Sequence, residues 1–143
     1  EYDHLRSIDM MNYAIKNNLD VVMGSRLSTK NMREMSLIQK IKIKPSYIAT
    51  ILCTYLINKF YNKNFTDIIG GKLYKRSSVI KIPISSFSSG FDFEFISRII
   101  KSKLKVGEIS IDYQPRANSH EKKIKPYHIL NALYEIFKVK LFN

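Results

Sequence analysis

The chain has little of what usually ties a small protein to a covalent or metal framework. Its 143 residues include a single cysteine, Cys53, which excludes an internal disulfide and a cysteine-built zinc cluster and makes a reducing cytoplasm the natural setting. Cys53 lies in an apolar helical run, where a thiol packs as a small hydrophobe; a reactive thiol is the alternative. Acids are scarce as well, with 12 Asp plus Glu against 24 Lys plus Arg and a formal net charge of +12. Such a field draws anions, and nucleic acid, an acidic membrane surface and phosphorylated small molecules all answer that description. Long hydrophobic runs are also missing: residues 47–57, the longest, are too few to span a bilayer and are interrupted by Thr50 and Thr54. His4, His120 and His128 lack metal-ligand spacing, and neither a Ser-His-Asp order nor a Gly-rich phosphate loop occurs. The opening Glu1-Tyr2-Asp3 has no basic leader and reads as the interior of a longer polypeptide.

What is present suffices for a core, since 45% of the residues are hydrophobic. Asp3 suits the N-cap of a helix in which Leu5, Ile8, Met11 and Ile15 recur every three or four residues up to Asn17 and Asn18. Residues 19–23 form a short β-branched run closed by Gly24, and the polar stretch 25–39 reads as a long loop beyond that strand's carboxyl end. Residues 45–61 return to helical spacing, with Ile48, Ile51, Leu52, Tyr55, Leu56 and Phe60 on the face expected to enter the core. Thr66, Asp67 and the pair Gly70-Gly71 break that helix before an extended segment at 72–75 and a short helix opened by Ser77. Phe91, Phe95, Ile99 and Ile100 mark another helix, and residues 104–113 a strand in which Ile109, Ile111 and Tyr113 alternate with Ser110 and Asp112. A basic loop at 115–125 leads to a last helix with Leu130, Leu133, Ile136 and Phe137. Alternating helix and strand periods predict an α/β fold with one mixed sheet flanked by helices.

Several residues could carry chemistry. Ser25 and Arg26 follow a strand end, where a planar fork of donors suits phosphate oxygens; an arginine paired with a nearby carboxylate is the plainer alternative. Asp67 can face a cleft from its place before the Gly-Gly turn, or serve only the turn. Asp92 and Glu94 in the first turn of a helix favour its dipole whatever else they do. Arg116, His120, Lys122, Lys123 and Lys125 beside Asn118 and Ser119 suit an anion-binding flap or a solvated basic loop.

Taken in order, Glu1-Tyr2-Asp3, Asp20-Val21-Val22-Met23-Gly24-Ser25-Arg26, Thr66-Asp67, Gly71-Lys72-Leu73-Tyr74-Lys75-Arg76, Ser89-Gly90-Phe91-Asp92-Phe93-Glu94 and Tyr113-Gln114-Pro115-Arg116 resemble successive blocks of family 2 (GT-A) glycosyltransferases. The pattern is most similar to dolichol-phosphate mannosyltransferases and bacterial polyprenyl-phosphate glycosyltransferases. The resemblance implies that residues 1–143 are a single domain fragment, the C-terminal, acceptor-side half of a GT-A catalytic domain. It also implies inverting transfer of a sugar from a nucleotide-sugar donor to a lipid phosphate or cell-envelope glycan at the cytoplasmic face of a membrane. A divalent cation, Mg2+ or Mn2+, would serve the full-length enzyme, held by an Asp-x-Asp motif that this chain lacks. Arg26 and Ser25 would face phosphate, Arg116, Lys122 and Lys123 would close over it, and Asp67 would lie beside the acceptor to orient it. Where family members carry a second arginine and a Gly-Asn pair, this chain has Lys40, Lys42, Lys44 and Pro45-Ser46-Tyr47, which supply charge without a bidentate fork. The rival is a small basic nucleic-acid-binding module. It accounts for the charge and the nine tyrosines but not for the ordered blocks, and neither a helix-turn-helix nor an RNA-binding signature accompanies it.

Overall fold

Among the described residues three strands form one sheet, and their order sets where the helices sit. The computed structural model describes residues 5–44, 46–87, 89–113 and 128–142. Strand β1 (Val21–Ser25) is central, with β2 (Lys72–Tyr74) antiparallel on one side and β3 (Val106–Ser110) parallel on the other. The registers pair Val22 with Leu73 and with Gly107. All five residues of β1 are buried, which explains why its sequence is a continuous apolar run rather than an alternation. The expected mixed sheet is therefore present, with β3 shorter than the stretch 104–113.

Helix α1 (Leu5–Lys16) covers one face of the sheet, packing Met10, Tyr13 and Ala14 onto Val22, Leu73, Ile109 and Ile111. It ends where Asn18 takes a left-handed φ of 46°, a conformation asparagine tolerates well. The opposite face receives α4 (Tyr47–Tyr61), α6 (Phe91–Lys101) and α7 (His128–Phe142), around a core of Met23, Cys53, Ile57, Ile68, Phe93, Ile96 and Ile136. Val21, Phe95 and Ile99 form a smaller cluster beside it. The short α5 (Arg76–Val79) follows β2. Cys53 is fully buried and burial pushes its thiol up to about 11, so it is the inert packing group.

Three sequence expectations need correction. The stretch 25–39 is not one long loop, because it folds into α2 (Lys30–Glu34) and the start of α3 (Leu37–Ile43). Thr29 caps the first, and Ser36 with Gln39 forms a capping box on the second, a Ser-x-x-Gln spacing visible in the sequence. The core face of α4 is also different. Thr50, Cys53, Thr54 and Ile57 point inward, while Ile48, Leu52 and Tyr55 are exposed. The helix is apolar almost all round, so spacing could not choose a side; packing in the core shared with α6 and α7 does. On α7 the inward positions are Ala132, Glu135, Ile136 and Val139, leaving Leu130 and Phe137 exposed.

Glu94, placed in the sequence at the first turn of α6, does more than favour its dipole. It is fully buried and accepts hydrogen bonds from Ser85 N, Ser85 Oγ, Ser86 N and Arg98 Nε at 2.7–3.0 Å. Burial pushes its carboxyl up, but these four donors outweigh it and hold the group down at about 2. A depressed carboxyl stabilises the fold above its ordinary value, and that contribution is lost as pH falls from about 4.5 toward about 2. The shift is worth on the order of 3 kcal/mol. Urea titrations across that window should show the wild type losing stability steeply and Glu94→Gln, already weakened at neutral pH, losing much less. Parallel pH profiles for the two proteins would contradict this.

Candidate functional site

The parallel strands β1 and β3 end on the same edge of the sheet, and the chain leaving β1 turns there. Ser25, fully buried, makes the turn: its Oγ accepts from Leu27 N at 3.2 Å and Ser28 N at 3.0 Å. The same oxygen lies 2.6 Å from Thr66 Oγ1, which donates to Glu108 Oε2 at 2.9 Å. With that proton committed to Glu108, Ser25 must donate to Thr66, so both hydroxyls are fixed in direction.

Arg26 does not extend outward from the rim. It is 7% exposed and clamps Asp67, which is wholly buried, with Nε to Oδ2 at 2.6 Å and Nη2 to Oδ1 at 2.9 Å. Asp67 also accepts from the backbone N–H of Arg26 at 3.1 Å and of Ile69 at 3.0 Å. The structure thus brings Ser25, Arg26 and Asp67 together, and joins the last two directly. Asp67 serves its own turn, through Ile69, and anchors the arginine at once. Arg116, Lys122 and Lys123 lie outside the described residues.

The guanidinium lies between two aromatic rings, 5.7 Å from the centroid of Tyr47 and 5.4 Å from that of Tyr113. Lys44 reaches the same pair, donating to Tyr113 Oη at 2.6 Å and standing 4.6 Å from its ring centroid. Arg26, Tyr47 and Tyr113, with Thr29, Asn31, Met32, Ile43 and Asp112, line a cavity of about 250 Å3. Of the three lysines that stand where a second arginine was expected, Lys44 is the one that bonds to this wall.

Glu108 is the site residue that sequence reasoning passed over. It accepts from Thr66 N at 2.9 Å and Asp67 N at 3.0 Å, so it holds the loop that carries Asp67 against β3. Burial raises its carboxyl above the ordinary value, the Asp67 charge adds to this, and the bonds from Asp67 and Thr66 oppose it. The available signal was parity: Glu108 falls in step with the polar Ser110 and Asp112 rather than with Ile109 and Ile111.

No family model, curated protein or solved structure matches the chain. The acids near the cleft are engaged: Asp67 with Arg26, Glu108 with Thr66 and the Asp67 backbone, Asp112 with Arg6. Among the described residues no group of three or more His, Cys, Asp or Glu side chains could hold a metal ion. The divalent cation implied by the resemblance does not fit the described residues, and no step is assigned to it. What the arrangement offers is a cleft walled by aromatic rings, with a cation held by a carboxylate and a second cation, Lys44, bonded to the hydroxyl of one of those rings.

Proposed function

We propose that the chain is the acceptor-side half of a GT-A family 2 glycosyltransferase, and that its cleft receives the phosphate end of a lipid-linked acceptor. The supporting observation is the cleft at the carboxyl ends of β1 and β3, where Lys44 and Arg26 converge on Tyr47 and Tyr113. Ligand crevices of open α/β sheets form at that edge. Arg26 and Asp67 act as a fixed wall, and Lys44 supplies the charge that meets phosphate. An acceptor phosphate is already anionic at neutral pH, so Asp67 orients the wall and need not remove a proton. A membrane location is supported by α3, which buries none of its residues and exposes Leu37, Ile38 and Ile43 beside Lys40 and Lys42. Among the described residues no helix is long and apolar enough to cross a bilayer.

The test is transfer of labelled sugar from a panel of nucleotide-sugars to polyprenyl phosphate by membranes containing the polypeptide as the cell makes it. Labelled lipid is expected, with residues 1–143 alone inactive because the donor-binding acids belong elsewhere. Lys44→Met, which leaves the Arg26–Asp67 clamp intact, should reduce acceptor use by about ten- to a hundredfold, the scale of a charge-assisted contact. Absence of product across the panel from folded protein, with tight and strongly salt-dependent binding of nucleic acid instead, would replace the enzyme with the basic binding module.

A further inference from the structure

The clamp that fixes Arg26 hangs from a turn that is itself held from β3. Asp67 grips the guanidinium with its carboxylate, and its own N–H is bonded in turn by Glu108 at 3.0 Å. Glu108 takes two more donors of that turn: Thr66 N, shared between Oε1 at 2.9 Å and Oε2 at 3.0 Å, and Thr66 Oγ1 on Oε2 at 2.9 Å. One half-buried carboxylate of β3 thus carries the front of the turn, and Asp67 passes that hold on to the cleft.

The hold depends on charge. An ionised acceptor makes hydrogen bonds roughly twice as strong as a neutral one, and protonation of Oε2 would set an O–H against the donors of Thr66. Burial, together with the Asp67 charge, raises the Glu108 carboxyl above its ordinary value against the pull of the turn donors. Around it, the turn brings Asp67, itself paired with Arg26, while β1 brings the uncharged Met23, its register partner, and Ser25, which meets Thr66. On the same face, the helices α4, α6 and α7 contribute an apolar core, and the acids buried there are paired, Glu94 with Arg98 and Glu135 with Lys138. By strand alternation α1 lies on the other face, over Ile109 and Ile111, with Arg6 paired to Asp112.

We propose that Glu108 is the positioning residue of the cleft: by holding the Thr66-Asp67 turn on β3 it keeps Arg26 in the wall, and so sets the affinity for a tetrahedral anion beside Lys44. It acts through Asp67 and touches no ligand itself. That the anion is the phosphate of a lipid acceptor rests on the function proposed above; the hold on the turn does not.

Sulfate is the probe, because it keeps both charges as pH falls, and titration calorimetry on the polypeptide as the cell makes it reads its affinity. The part of the binding that Lys44→Met abolishes reports the cleft. In the wild type that affinity should fall about tenfold from neutral pH toward 4.5, the scale of one weakened bond to a charged group. Glu108→Gln should start about tenfold weaker and stay level. Stability does not follow the same course: a carboxyl raised in the folded state binds its proton more tightly there than in the unfolded chain, so acidification over this window costs no stability at Glu108. Thermal midpoints that hold while affinity falls therefore separate positioning from unfolding, and midpoints that fall in step with affinity would overturn the inference. A level sulfate affinity in the wild type would overturn it without any variant, as would wild-type affinity and slope in Glu108→Gln, or sulfate binding that ignores Lys44. Affinity that follows Glu108 in protein that transfers no sugar would leave the positioning role standing and remove the enzymatic reading.

Discussion

Asp67→Ala is expected to cost about 3–5 kcal/mol, the range for removing one partner of a buried ion pair. Total stability of a domain is only about 5–15 kcal/mol, so the variant should lose a large share of it. The loss is large because Asp67 is wholly buried and satisfies more than the guanidinium: without it, the two side-chain bonds to the 7% exposed Arg26 are lost, and the N–H groups of Arg26 and Ile69 lose this acceptor. Arg26→Ala should be the milder change. The carboxylate it leaves behind still accepts two backbone N–H bonds, and the flanking rings of Tyr47 and Tyr113 can close part of the space. Urea denaturation of the two single variants checks the ordering, and Arg26→Ala proving as damaging as Asp67→Ala would mean that the backbone bonds contribute nothing.

Gly70→Ala should be the most damaging of the glycine substitutions near the site. A β-carbon there would stand 1.7 Å from the carbonyl oxygen of Gly24 and 3.4 Å from Asp67 Oδ2. The carbonyl belongs to the central strand and cannot rotate away, unlike the tip of a flexible side chain. Relieving the contact means prising the loop at 66–71 off β1, at the point where Gly24 N bonds Gly71 O at 2.7 Å. A loss of about 3 kcal/mol or more is expected, the upper end for overpacking. The neighbouring Gly71→Ala is the control, because its β-carbon would meet only Ile111 Cδ1 at an ordinary 3.7 Å. It should stay within about 1 kcal/mol of wild type. Thermal and urea midpoints for the pair decide the matter, and equal midpoints would show that the close approach at Gly70 is not maintained in solution.

The fold was legible where the sequence pattern had one reading. Residues 19–24 are short, β-branched and closed by glycine, and they form the central strand; the alternation around Ile109 likewise marks β3. Helix α4 was legible as a helix but not as to its face, because Ile48, Leu52 and Tyr55 compete with Cys53 and Ile57 and only tertiary packing separates them. At the site, the types and places of Ser25, Arg26 and Asp67 could be read as candidates, yet the bonds of Ser25 to Thr66 and of Arg26 to Asp67 each span 41 positions along the chain. Sequence spacing carries no information about such a contact. Glu108 was missed for a related reason: a single acid in a strand looks like a solvent-facing residue until the Thr66 loop is folded over it.

The chain of side chains from Ser25 through Thr66 to Glu108 has a consequence for how the sequence can vary. Each hydroxyl has one proton to give, and Glu108 accepts the last of them. Replacing Thr66 by valine would leave the Ser25 proton without this acceptor and Glu108 with only the backbone donors of residues 66 and 67, whereas replacing Glu108 by glutamine would bring an amide N–H2 among those donors. Drift at these three positions should therefore be concerted: among descendants of this chain, a change at one would persist mainly alongside changes at the other two.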